Sequence, residues 1–243
     1  MKQHLSVWML LARSTVWKLL ALCGVLIGAD VLVFRAAAVG PLEEVLAGCR
    51  VPLSPFGGLE TLFGLALAGA AVILRLTAWE QTAGRTLCRL RISGRAVYLW
   101  HFAHAALCYL LLWMVQALTL FLLLAGYARG LEPHQAGPQS LMLAAWRSGF
   151  LHALFPLVDG ALLLRNGAIL LALAAMTARR PQEDARPGRF PVGLVAWAAI
   201  AAFVWPASRQ LFVTGILVQM VLAAAVLVWA LWAALQEVDQ DEE

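Results

Sequence analysis

The sequence predicts an all-α membrane protein, a polytopic bundle of about six transmembrane helices with both termini in the cytoplasm. Three observations predict it. The 243-residue chain is 62% hydrophobic and 13% charged, whereas soluble domains run about 45–50% apolar and about 25% charged. Its apolar residues gather into six runs close to the roughly 20 residues that a helix needs to cross a bilayer. Its basic residues fall unevenly between the segments joining those runs. A globule of this size has too little polar surface to cover so much apolar surface, so the composition excludes a soluble enzyme, a disordered chain and a disulfide-stapled secreted module.

In order, the expected spans are 16–34, 57–74, 97–125, 157–178, 191–205 and 210–235. Lipid offers the backbone no hydrogen-bond partner, so each run must be helical; the alternation of a β-barrel strand is absent. The first run is interrupted by Lys18 and lacks a clean small-x-small cleavage site. In Leu20-Ala21-Leu22-Cys23, Leu22 is too large for a lipoprotein box, so the segment is expected to be retained. The third run is long enough to tilt or project, and the fifth is short and closed by Pro206. Two joining regions are more than turns. Residues 80–95 set Arg85 and Arg89 among Leu87, Leu90 and Ile92, the pattern of a basic amphipathic element on the inner face. Residues 139–155 lie between Gly137-Pro138 and Pro156 and predict an outer interfacial or re-entrant helix. Residues 1–236 thus form one transmembrane domain, and 237–243 an acidic cytoplasmic tail.

Orientation follows from Lys and Arg. With the N-terminus inside, twelve of the eighteen basic residues lie on inner segments and five on outer ones, Arg165 falling within a span. Trp17, Trp79, Trp100, Trp229 and Trp232 lie near inner boundaries, and Trp146 and Trp205 near outer ones, as in interfacial belts. The net charge of +4 is spread between apolar runs and forms no patch for nucleic acid. The bilayer is the expected partner, and the cell membrane the expected location.

Charges inside spans cost about 2.5–3.5 kcal/mol at the helix centre, so each needs a reason. Asp30, Gln116, Asp159 and Arg165 are the intramembrane polar candidates. They either line a translocation path or, with more weight, serve structure by snorkelling or by a pair such as Arg165 with Asp30. Asp159 and Arg165 are six residues apart and face different ways, so they are not expected to pair directly. Gln116 and Gln219 are expected to hydrogen-bond between helices. His101, His104 and Cys108 form an i, i+3, i+7 stripe, with His152 elsewhere; interfacial histidines account for it better than a haem or metal site. Gly24 and Gly28, and Gly64 and Ala68, are small-xxx-small pairs that let backbones approach within the bundle or a dimer. Four scattered cysteines form no CxxC and no metal spacing, so no disulfide framework, metal site or cofactor is expected. No HExxH, GxSxG or Walker A motif is present, so no catalytic residue is assigned and any ATPase must be another chain.

The stretch from Thr86 to Trp100, Thr-Leu-Cys-Arg-Leu-Arg-Ile-Ser-Gly-Arg-Ala-Val-Tyr-Leu-Trp, runs from a basic inner loop straight into the third span. With six spans and both termini inside, it resembles the membrane subunit of ABC-2-type transporters. The resemblance implies a permease working by alternating access, paired with a cytoplasmic ATP-binding subunit and forming a homodimer or heterodimer. Arg85, Arg89, Arg91 and Arg95 would then dock the ATPase or anchor lipid headgroups. Unlike many such permeases, this chain joins spans five and six by Pro206–Gln210 alone and carries its extra outer helix between spans three and four. A non-catalytic membrane scaffold or sensor is the alternative expectation, and a histidine-ligated redox membrane protein the third.

Overall fold

A computed structural model describes residues 2–36, 43–46, 49–56, 59–77, 93–132, 139–156, 159–179, 198–199 and 213–241. Its long helices are α1 (Lys2–Ala36), α2 (Glu60–Thr77), α3 (Gly94–Ala128), α6 (Gly160–Ala178) and α7 (Val213–Asp241). All five carry a stretch long and apolar enough to cross a membrane. The chain is therefore a multi-pass membrane helix bundle. None of its ten prolines falls inside these helices, so no i→i−4 ladder is broken by a missing N–H. They match the first four expected spans and the sixth; the fifth, 191–205, lies outside the described residues except for 198–199, as does 78–92, most of the expected basic element.

Two features differ from the sequence expectation. The first helix is longer than the expected span, running from Lys2 through Lys18, whose Nζ donates to Thr77 O at 3.2 Å. Between α1 and α2 the chain forms an antiparallel hairpin, β1 (Glu43–Leu46) with β2 (Cys49–Pro52), pairing Glu44 with Val51 and Val45 with Arg50. Four-residue strands in a polar connection left no alternation long enough to read. The 139–155 region is helical as expected, but it splits into α4 (Ser140–Arg147) and α5 (Gly149–Leu154). Ser148, extended between them, starts α5 by accepting the Leu151 N–H on its hydroxyl at 3.2 Å.

Side-chain contacts fix the helix directions. α1 and α3 run parallel, since Thr15 meets His104 and Asp30 meets Gln116. α2 runs against α1, with Lys18 at Thr77. α6 and α7 run parallel to each other, Arg165 meeting Gln219 and Arg179 meeting Trp229, so the end of α6 and the start of α7 lie on opposite sides of the bundle. α2 buries Phe63, Gly64, Leu67, Ala68, Ala71 and Leu74 on one stripe. Gly64 and Ala68 thus serve close packing as expected. The Gly24/Gly28 face of α1 is exposed instead, and a Cβ at either position would meet nothing within 4 Å. The inner half of α6 is buried all round from Ala172 to Ala178, where four alanines leave room for neighbouring helices.

One aromatic cluster closes the outer end. Phe56 packs edge-on against Phe34 and Phe63, Phe63 stacks on Phe150 at 6.2 Å, and Phe34 meets Tyr127. Buried within it, Glu60 accepts from Ser54 Oγ at 2.9 Å and from the Phe150 N–H at 3.1 Å. One carboxylate thereby ties the start of α2 to the segment after the hairpin and to α5. Replacing Glu60 with alanine strands a buried N–H, at about 1–3 kcal/mol. Thermal unfolding of the detergent-purified chain should show this loss for Glu60→Ala and a smaller one for Glu60→Gln, which keeps an acceptor. A Glu60→Ala protein as stable as the parent would refute the tie.

Candidate functional site

With no water in the hydrocarbon core, a polar side chain there must find its partner on another helix or on its own backbone. The described polar groups do so in three places. The first is the seam of α1 and α3, where Gln116 Nε2 donates to Asp30 Oδ1 at 2.9 Å and to Phe63 O of α2 at 3.5 Å. Asp30 and Gln116 both have 0% exposure. The alternative expected partner of Asp30, Arg165, is elsewhere.

Arg165 builds the second place, between α6, α7 and α5. Asp159 is the N-cap of α6, accepting from the Ala161 and Leu162 N–H groups at 3.0 and 3.3 Å. It binds its own helix and, as its spacing from Arg165 implied, makes no direct pair with it. Arg165 lies six residues inward, about 9 Å at the helical rise. Its Nε and Nη2 donate to Asn166 Oδ1 at 3.1 and 2.6 Å, and its Nη1 to Gln219 Oε1 at 3.4 Å. Asn166 Nδ2 in turn donates to Ala153 O at 2.7 Å, tying α5 to α6. Among the described residues, every hydrogen-bond partner of this buried guanidinium is a neutral amide oxygen. Gln219 was legible as an interhelical donor or acceptor; Asn166 was missed, because its role depends on where α5 ends.

The third place is the inner end. Arg75 Nη1 donates to Met176 O at 2.8 Å, and Lys18 to Thr77 O, so two cations sit on the last-turn carbonyls of α6 and α2. Arg179 lies 4.7 Å over the Trp229 ring. Tyr109 Oη is 2.8 Å from Thr177 Oγ1 and donates to Ala71 O at 3.3 Å, joining α3, α6 and α2. His104 Nε2 is 2.7 Å from Thr15 Oγ1 and 3.6 Å from Cys108 Sγ, under the edge of Trp8, while His101 Nδ1 contacts Val97 O of its own helix. Among the described residues, no three His, Cys, Asp or Glu side chains converge as a metal site needs. Cys23 and Cys108 are buried free thiols. Of the four docking candidates, Arg95 is exposed in the first turn of α3; Arg85, Arg89 and Arg91 lie outside the described residues.

An apolar cavity of about 400 Å³ lies between the outer half of α3 and the α4–α5 pair. Met114, Leu118 and Phe121 form one wall, Met142 and Phe155 the other, and the Trp146 and His152 rings, 4.7 Å apart, stand at its side. Its size is that of small-molecule sites, about 300–1,000 Å³. Its walls are half exposed along the side of the bundle.

Comparison of the chain with protein-family models, curated proteins and solved structures finds no match.

The Arg165 network yields a stability prediction. Gln219→Leu and Arg165→Met should each destabilise by about 1–3 kcal/mol, because each strands the buried group left behind. The double variant should recover part of that loss, since both partners then become apolar. Equilibrium unfolding of the four proteins measures the coupling; strict additivity would show that the two side chains act independently.

Proposed function

We propose that the chain is the membrane-spanning permease subunit of an ATP-driven, ABC-2-like transporter in the cell membrane, working by alternating access with a separate ATPase. The observation that carries this reading is the basic segment 80–95, rich in arginine, which leads directly into α3 and ends with the exposed Arg95. A cytoplasmic partner bound there has a continuous 35-residue lever, α3, reaching to the outer side. The concentration of basic residues on the inner segments and the opposite-side ends of α6 and α7 also support six crossings. The open Gly24/Gly28 face of α1 supports a dimer of permeases. The lateral apolar cavity favours an apolar or amphipathic cargo entering from the lipid.

A non-catalytic membrane scaffold is the second reading. It is favoured by the way Asp30, Gln116, Arg165 and Gln219 bind one another or their neighbours along helix seams.

Purification in mild detergent should recover a nucleotide-binding subunit, and reconstituted vesicles should show ATP-dependent transport. Replacing Arg85, Arg89, Arg91 and Arg95 together by glutamine should weaken ATPase association at least about tenfold, or about 1.4 kcal/mol. Unchanged association would assign these arginines to lipid headgroups. Failure to recover any ATPase, with no transport, would leave the scaffold reading.

A further inference from the structure

Asp30 and Gln116 leave two atoms unaccounted for. Gln116 Nε2 donates to Asp30 Oδ1, and among the described residues the buried side-chain oxygens without a hydrogen-bond partner are Asp30 Oδ2 and Gln116 Oε1. These are the second oxygen of the same carboxyl and the carbonyl of the same amide. Both are acceptors when Asp30 is ionised, so neither can satisfy the other. A proton on Oδ2 would let Oδ2–H donate to Oε1 while Nε2–H donates to Oδ1, the cyclic acid–amide pair in which both orphaned oxygens are matched. An unmatched buried polar atom is costly, so one proton relieves two such atoms together.

Among the described residues, no cation is bonded to the Asp30 carboxyl. Among the described residues Gln116 is the sole partner of Asp30. On α2, Glu60 is held by Ser54 and Phe150, and Phe63 contributes only its carbonyl, to Gln116. On α3, Tyr109 and Cys108 are about two turns inward of Gln116, and Tyr109 is bound to Ala71 and Thr177. On α1 itself, Arg35 is exposed.

We infer that Asp30 and Gln116 form a proton-binding site on the seam of α1 and α3, with one proton carried on Asp30 and donated to the Gln116 carbonyl. The site makes the seam proton-dependent. Removing the proton sets two bare acceptors against each other out of reach of water, and the way to relieve this is to part α1 from α3. The inference stands independently of the transport reading.

Infrared spectroscopy of the full chain in phospholipid vesicles at neutral pH tests it. The protein carrying aspartate labelled with ¹³C at the side-chain carboxyl should show a hydrogen-bonded carboxylic-acid C=O stretch that moves with the label and with D2O. Asp30→Asn, whose amide can reproduce both hydrogen bonds, should lose that band while unfolding at the parent temperature. In Gln116→Leu the band should shift to the higher frequency of a free acid. Absence of any label-sensitive acid band in the parent protein overturns the proposal without relying on a variant. A band that persists in Asp30→Asn overturns it as well.

Discussion

A bilayer core supplies no hydrogen-bond partner, and this constraint decides where each polar side chain of the chain can lie. Apolar packing alone does not choose one helix neighbour over another, because lipid tails are as apolar as leucine. Selection comes from close approach of small residues and from polar pairs that cannot be satisfied separately. Here Gly64 and Ala68 provide the first for α2, and the alanines of α6 from Ala172 provide it for the bundle centre. Asp30 with Gln116, Arg165 with Gln219, and Tyr109 with Thr177 provide the second. Each pair joins two helices, so together they set directions and depth as well as contact.

The two ends of the bundle are built from different chemistry. At the inner end, Lys18 and Arg75 donate to carbonyls that the last turns of α2 and α6 leave without intrahelical partners, and Arg179 covers an indole face. Cations counted in the expected orientation therefore also finish helices. At the outer end, aromatic rings from five segments cluster beside one buried carboxylate, Glu60, which bonds to the start of α5.

How much of this was legible in the sequence depended on the range of the signal. Span positions and helix type follow from runs of apolar residues, so 57–74, 97–125, 157–178 and 210–235 lie within a few residues of α2, α3, α6 and α7. α1 begins well before the expected span at 16, because residues 2–15 mix polar side chains into the helix and carry no continuous apolar run of spanning length. Gln116 and Gln219 could be named as interhelical because an amide inside an apolar run has few other uses. Their partners could not, since pairing Asp30 with Gln116 depends on α1 and α3 being parallel neighbours. Glu60 and Asn166 were missed for the same reason: each acts on a backbone group of α5, which no spacing along the chain brings near.

If polar pairs fix the seams of this bundle, the Asp30–Gln116 pair should show that most directly. A double-mutant cycle of Asp30→Ala and Gln116→Ala, with unfolding measured in a bilayer-like medium, isolates the interaction. The account predicts a favourable coupling of at least about 0.6 kcal/mol, the average for hydrogen bonds between membrane helices, whose largest values reach about 1.7 kcal/mol. Additive losses, with no coupling beyond error, would contradict it and leave the α1–α3 seam to apolar packing alone.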